Sequence, residues 1–429
     1  MPEFKTVRGM RDFLPEEARI MKYIERRARN VAESFGYREI VTPLVESYEL
    51  LATKAGEEVR LRMFAFKDLG GRMVALRPEF TPSIARVVAT TLRNEPRPLR
   101  LFCLGSLYRY DEPQRGRYRE FWQSDFELIG SSRPEADAEV LSATNRLMDR
   151  VGLRDCVFKV GHVGVLRGVL TEEGLNDKVQ NAVLQLMDKK QFDDALALVK
   201  NSGASEKSLT VLRSLVELKG NRVSKIVEDM KKCVDSYEKA VVAVENLSEI
   251  LRLVVESGCE ISVSVEAGFA RGLEYYTGMI FEVYVPELDV ALSGGGRYDK
   301  LVELFGGEPA PAVGVANGID RIMLAMQEQH VIMEEAVEKK VIIIPVGDET
   351  KTDALKIAGM LRGANTMVEF EVMGRKMTKA LEDADRRKID YAVIVGKKEL
   401  DERKVGLKDL KKREQITVGI EELTETLKN

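Results

Sequence analysis

Apolar residues recur with period two on both sides of one short polar stretch, Ala270–Gly278. Ile261, Val263 and Val265 precede it; Phe281, Val283 and Val285 follow it. The pattern predicts two strands joined at a sheet end through A-R-G-L-E-Y-Y-T-G. Upstream, Ile20, Ile24, Val31 and Phe35 fall at helical spacing between Pro15-Glu16-Glu17 and Gly36. Proline and acids suit a helix start, and glycine suits its end. Tyr37–Pro43 reads as a strand with Pro43 at an edge or end, and Met73–Leu76 as a second, short one. Leu101–Tyr110 and Arg119–Ile129 read as two strands flanking the loop D-E-P-Q-R-G-R-Y, turned by Pro113 and Gly116. Pro134–Val151 reads as a helix. Residues 166–258 are helix-forming and charged, with a long amphipathic run near Lys231–Glu256. Ala312–Leu324 reads as strand, glycine turn and helix. Beyond a linker the rhythm changes: strand Val341–Val346, helix Thr350–Arg362, strand Met367–Val372, helix Lys376–Arg387 and strand Tyr391–Val395. A charge-dense stretch, Lys397–Glu414, then leads to a strand and a terminal helix. Such alternation implies a small parallel or mixed sheet covered by helices.

Composition narrows the class. Charged residues make up 32% and apolar residues 44% of 429, a globular profile long enough for two or three domains. The net charge of −4 means that any nucleic-acid contact uses local basic patches. There is no apolar run of membrane-spanning length, and Met1–Arg11 has no signal-peptide core. Cys103, Cys156, Cys233 and Cys259 are scattered without C-x-x-C, so free thiols in a reducing cytoplasm are expected and a zinc site is not. The two histidines, His162 and His330, lie in no motif. The expected chemistry therefore needs no histidine base; attack by an already ionised substrate carboxylate on a phosphate fits.

The candidate chemistry sits in four places. Arg271 offers planar donors for a carboxylate or phosphate, beside the rigid rings of Tyr275 and Tyr276, with a strand-end turn carrying surface aromatics as the plain alternative. Glu79 and Thr81, at i and i+2, share a side if the backbone is extended, and together suit an ammonium group. A helix start with Thr81 as its cap reads equally well. Arg109, Arg115, Arg117 and Arg119 crowd one loop, a density that suits phosphates, with a solvated basic hairpin as the plain alternative. Phe121, Gln123, Asp125 and Glu127 share one strand face, which makes a poor core and a better polar pocket. The triplet Gly294–Gly296 allows close backbone approach, but no G-K-[ST] follows it, so it is not a P-loop.

R-G-L-E-Y-Y-T-G resembles the histidine-binding signature of histidyl-tRNA synthetases, usually R-G-L-D-Y-Y, with Glu274 in place of the aspartate. G-G-G-R-Y-D at Gly294–Asp299 resembles that family's second signature. Helix–strand–Pro43, then Y-R-x-E…G-R-Y-R-E-F, then Ala312–Leu324 are similar to motifs 1, 2 and 3 of class II aminoacyl-tRNA synthetases. The resemblance spans nearly the whole chain. It implies an α+β catalytic domain with an antiparallel sheet, a helical insertion over the tRNA acceptor arm and a C-terminal α/β anticodon-binding domain. The corresponding segments are 1–165 and 259–328 for the catalytic core, 166–258 for the insertion, 329–340 for a linker and 341–429 for the last domain. It implies that Glu79, Thr81 and Gln123 hold the substrate α-amino group and that Glu127, Tyr275, Tyr276 and Tyr298 line the histidine pocket. Arg109 and Arg271 would act on the carboxylate and α-phosphate as the catalytic pair. Glu112, Phe121, Gly318 and Arg321 would serve ATP. Gln114, Arg115 and Arg117 would meet the tRNA acceptor end. Arg297 reads as structural.

The implied function is histidine activation by ATP, then transfer to the terminal adenosine of tRNA(His), by a cytoplasmic homodimer. ATP is a substrate, and Mg²⁺ is held by phosphates and water rather than a protein cage. Three rivals stand beside this reading: a histidine-sensing regulatory paralogue without catalysis, another class II synthetase, and an adenylating enzyme that uses no tRNA.

Overall fold

The structure, a computed structural model, describes residues 4–53, 55–271, 273–333 and 339–428. The chain divides into two compact units after Met333. Part of the expected linker, residues 334–338, and Gly272 of the arginine–tyrosine stretch lie outside the described residues.

The first unit is built on a nine-stranded sheet among the described residues. Its order is Arg38–Glu39, Leu99–Tyr108, Glu120–Ile129, Ala312–Gly318, Ser293–Arg297, Met279–Tyr284, Val157–His162, Ser262–Glu266, Lys219–Gly220. All pairings are antiparallel except Arg38–Glu39 with Leu99–Tyr108, and Val157–His162 with Ser262–Glu266. Strands far apart in sequence thus become neighbours: Gly314 lies opposite Glu127, and Gly294 opposite Glu282. Alternation along Glu120–Ile129 sends Phe126 and Leu128 into the apolar core and Gln123, Asp125 and Glu127 to a cleft on the other face. Helices Pro15–Ser34, Pro134–Arg150 and Ile319–Glu328 pack together on the core side. A smaller sheet, Val45–Ser47, Met73–Leu76 and Ala65–Lys67, stands apart from the large one. Between His162 and Ser262, six helices run from Val163 to Glu256 among the described residues.

Four sequence expectations change. Tyr37–Pro43 forms only the two-residue strand Arg38–Glu39. Beyond it the carbonyls of Thr42 and Pro43 accept from the buried Arg77 guanidinium at 2.7 and 3.4 Å instead of joining a ladder. The strands flanking Ala270–Gly278 are not paired: Val157–His162 lies between them and pairs with both. The amphipathic run near Lys231–Glu256 breaks between Val223–Cys233 and Glu238–Glu256. Lys404–Asp409, inside the charge-dense stretch, is a strand with Val405, Gly406 and Leu407 buried.

The second unit is a five-stranded mixed sheet, order Met367–Phe370, Lys340–Pro345, Tyr391–Val395, Lys404–Asp409, Glu414–Gly419. The first three strands are mutually parallel and the last two add antiparallel. The run Val341–Ile344 is apolar without interruption because both its faces are covered. Val341 and Ile343 pack with Ile357 and Leu361 on one side, and Ile342 and Ile344 with Ala380 and Ala384 on the other. No described helix of the chain is long and apolar enough to cross a membrane.

Candidate active site

The first unit carries a cleft of about 380 Å³ over the centre of its sheet. Its floor is the polar face of Glu120–Ile129, with Gly314 and Gly296 from the neighbouring strands. The glycines have a defined job here. A Cβ on Gly314 would run into the Glu127 carboxylate, and one on Gly294 into the Arg271 guanidinium. Strand positions that would normally carry side chains are left bare so that charged groups from a neighbouring strand (Glu127) or loop (Arg271) can lie across them.

Glu127 lies at the bottom, 1% exposed. The Thr81 hydroxyl donates to one of its oxygens at 2.7 Å, and the Tyr298 hydroxyl donates to the other. Burial pushes its carboxyl up to about 7, against the pull of those two hydrogen bonds. Thr81 is the first residue of the helix Thr81–Ala89 rather than its cap, a position that falls to Phe80, and its hydroxyl donates to Glu127. Glu79 is also buried: Tyr275 donates to one oxygen at 2.9 Å, and the other has no partner. Burial raises the Glu79 carboxyl, opposed by Arg109, Tyr275 and Arg271. Tyr275 packs against Tyr276 and Tyr298 at ring separations of 5.0 and 5.8 Å. Three phenols and two carboxylates thus make one buried polar cluster.

Cations face this cluster. Arg109 donates from Nε to the Pro78 carbonyl at 2.9 Å and sits 5.4 Å above the Phe121 ring. Arg271 donates to the Phe281 carbonyl at 3.2 Å, with Glu282 3.8 Å away. Arg321 is fixed by the carbonyls of Gly116, at 3.0 Å, and Ala291, at 2.8 Å. Burial lowers its affinity for a proton, and the neighbouring charges of Arg117 and Arg109 lower it further. Three guanidiniums lining one cleft repel each other and are poised for an anion with several charges.

Of the expected site residues, Glu79, Thr81, Arg109, Arg117, Phe121, Gln123, Glu127, Arg271, Tyr275, Tyr276, Tyr298, Gly318 and Arg321 all line this cleft. Glu112, Gln114 and Arg115 do not. Glu112 is exposed and paired with Arg8. Arg115 pairs with Glu328. Gln114 closes the loop through backbone bonds to Arg117 at 3.0 and 2.9 Å. Arg297 is buried, with bonds to Asp137, Asp299 and the carbonyls of Ser131 and Arg133.

Some lining groups were not legible as such. Asp320 accepts from the Trp122 backbone N–H at 2.6 Å and pairs with Arg11, tying the chain's first segment to the cleft. Glu282 lies opposite Gly294 at the Arg271 end. From the helical segment, Asp188 lines the cleft, and Gln185 donates to Glu274 at 3.4 Å. No local pattern marks these; the tertiary pairing does.

Comparison with known proteins follows this geometry. A family model described as histidyl-tRNA synthetase matches residues 9–322, and one described as an anticodon binding domain matches residues 340–429. The chain is 42% identical to a histidine–tRNA ligase of Methanocaldococcus jannaschii, over 98% of this chain and 99% of that protein. A Bacillus halodurans structure titled as an ATP phosphoribosyltransferase regulatory subunit/histidyl-tRNA synthetase superposes with TM-score 0.78 and 27% identity, covering 92% of this chain and 99% of its own. A histidyl-tRNA synthetase structure from Nostoc shares the fold, with TM-score 0.81 and 24% identity over 100% and 99% of the two chains.

Proposed function

Since the chain belongs to the histidyl-tRNA synthetase family, we propose that its cleft is where histidine and ATP react. The protein is a ligase: it activates L-histidine with ATP to histidyl-adenylate and pyrophosphate, then passes the histidyl group to the terminal adenosine of tRNA(His). The observation that carries the placement is the buried Glu127–Thr81–Tyr298 and Glu79–Tyr275 cluster facing Arg109 and Arg271.

Each end of histidine meets its chemical complement. Glu127 and the phenols of Tyr276 and Tyr298 take the imidazole, whose two ring nitrogens need one acceptor and one donor or two acceptors. Glu79, Gln123 and Thr81 take the α-ammonium. The carboxylate points to Arg109 and Arg271. One of its oxygens attacks the α-phosphorus; the bond from that phosphorus to the pyrophosphate oxygen breaks, and its electron pair leaves with pyrophosphate. No proton moves in this step, so positioning and charge stabilisation carry it. Arg109 stabilises the α-phosphate on one side and Arg271 on the other, while Arg321 holds the leaving phosphates. Phe121 and Gly318 flank the adenine. A bound Mg²⁺ would supply neutralisation of phosphate charge. Among the described residues no three His, Cys, Asp or Glu side chains form a metal cage. Glu282, on the cleft wall beside Arg271, is the carboxylate suited to share an ion held mainly by phosphates and water.

The exposed loop with Gln114, Arg115 and Arg117 suits the tRNA acceptor end, the helices between Val163 and Glu256 suit the acceptor arm, and the second unit suits the anticodon. Val41, Leu61 and Leu69 stand largely exposed near the small sheet, with Phe66 and Met73 on its strands. A second copy of the chain covers them in our reading, giving a homodimer. The cytoplasm is the matching compartment, and the four cysteines are unpaired.

Transfer of labelled histidine to a tRNA(His) transcript tests the whole reading. Charging that falls steeply with salt supports it. Adenylate formation without charging would reduce the protein to an adenylating enzyme.

A further inference from the structure

Asp125 is a buried cleft carboxylate to which nothing above gives a task. It is 1% exposed, lines the cleft between Gln123 and Glu127, and neither of its oxygens has a hydrogen-bond partner. A buried unpaired carboxylate is costly, so a native protein keeps one only where something else repays it. Arg77 and Arg109 are the cations that act on it, with Glu79 and Glu127 opposing. Arg77 turns its Nε to the Ser106 carbonyl and one terminal nitrogen to that of Thr42. Arg109 turns its Nε to Pro78.

The unpartnered atoms of the cleft fall into a pattern. Glu79 Oε1, Gln123 Oε1 and both oxygens of Asp125 are buried acceptors without donors. No cleft nitrogen shares that condition among the described residues. A primary ammonium brings three N–H donors and no acceptor. Three residues with orphan acceptors match three donors. The Thr81 hydroxyl donates to Glu127, which leaves its oxygen able to accept beside them.

We propose that Asp125 is a substrate-binding residue whose carboxylate takes one N–H of the histidine α-ammonium, alongside Glu79 and Gln123. This rests on the histidine-pocket reading and deepens it. Burial, then the charges of Glu127 and Glu79, push the Asp125 carboxyl well up in the free protein; an arriving cation reverses that. The ammonium therefore meets two negative groups, which favours a ligand with a free α-amino group over one without.

The test compares wild type with Asp125→Asn, an isosteric change, by calorimetric binding of three ligands. Histidine has both ends, histidinol keeps the ammonium without the carboxylate, and imidazolepropionate keeps the carboxylate without the ammonium. A lost charge-assisted bond weakens histidine and histidinol about 10- to 100-fold, and imidazolepropionate by less than about twofold. Equal losses for all three ligands would overturn the assignment, as would a loss confined to imidazolepropionate. The ligand-free variant should melt at or near the wild-type temperature, because the change takes no hydrogen bond away from the protein. A fall of several degrees would show that the carboxylate has a partner within the protein and would also overturn it. Wild-type protein that binds no histidine at all would instead sink the pocket reading, and the assignment with it.

Discussion

Two arginines from two signature stretches, Arg271 and Arg297, end in opposite surroundings. Arg297 is clasped on all sides: Asp137 takes Nε at 3.1 Å and also a terminal nitrogen, Asp299 takes another bond at 3.0 Å, and two carbonyls complete the set. Arg271 has one carbonyl at 3.2 Å and a carboxylate at 3.8 Å, on the wall of an open cleft. A side chain whose donors are consumed by its own fold can hold the fold and do little else. One with donors to spare in a desolvated cleft is available to a ligand. The same contrast separates Asp137, bonded to Arg297, from Asp125, bonded to nothing.

The comparison breaks most visibly at Arg297. Arg297→Ala leaves Asp137, 0% exposed, without its partner. Urea unfolding should show a loss of about 3–5 kcal/mol, and an Arg297→Ala protein of unchanged stability would undo the contrast. Arg271→Ala should do the reverse. Its adenylation rate should fall by about 10²–10³, while its melting temperature stays within about two degrees of wild type. Pre-steady-state formation of histidyl-adenylate reads the first quantity, and calorimetry the second.

Glu127 sharpens the comparison through pH. Its folded carboxyl is raised to about 7 from an ordinary 4.5 by burial. A raised carboxyl favours the folded state while it is protonated; that contribution is complete below about pH 4.5 and is lost as pH rises through 7. The ligand-free protein should therefore lose stability between about pH 4.5 and 7. Glu127→Gln should remove about 3 kcal/mol of that loss, with Glu79 and Asp125 retaining a slope of the same sign. Melts across this range check it; an unaltered slope would mean that Glu127 stays ionised. The smallest effect belongs to Glu112, exposed and paired with Arg8. Glu112→Gln should shift stability by less than about 1 kcal/mol, so a larger loss in a denaturant melt would show a role the surface pair does not have.

The sequence carried unequal amounts of this picture. Regular apolar periods located the helix Pro15–Ser34, the arms Leu99–Tyr108 and Glu120–Ile129, and Val341–Ile344, because burial imposes the period directly. The period-two face of Gln123, Asp125 and Glu127 was visible for the same reason. The partners were not. Strand Val157–His162 between the two strands flanking Ala270–Gly278, Thr81 on Glu127 rather than on its helix end, and Gln185 on Glu274 all depend on long-range pairing. Glu112 and Arg115 turned outward to Arg8 and Glu328 for a related reason: a loop's charges take whichever opposite charges the folded surface offers. The glycines of Ser293–Arg297 read as close approach, but only the fold shows that what approaches Gly294 is Arg271.

Histidine-dependent ATP–pyrophosphate exchange, run without tRNA and with each of the twenty amino acids, tests the central claim most directly. The arrangement of Glu127, Glu79 and the facing arginines predicts exchange with histidine and with no other amino acid. Well-folded protein that exchanges with none, or that exchanges equally with a second amino acid, would contradict it.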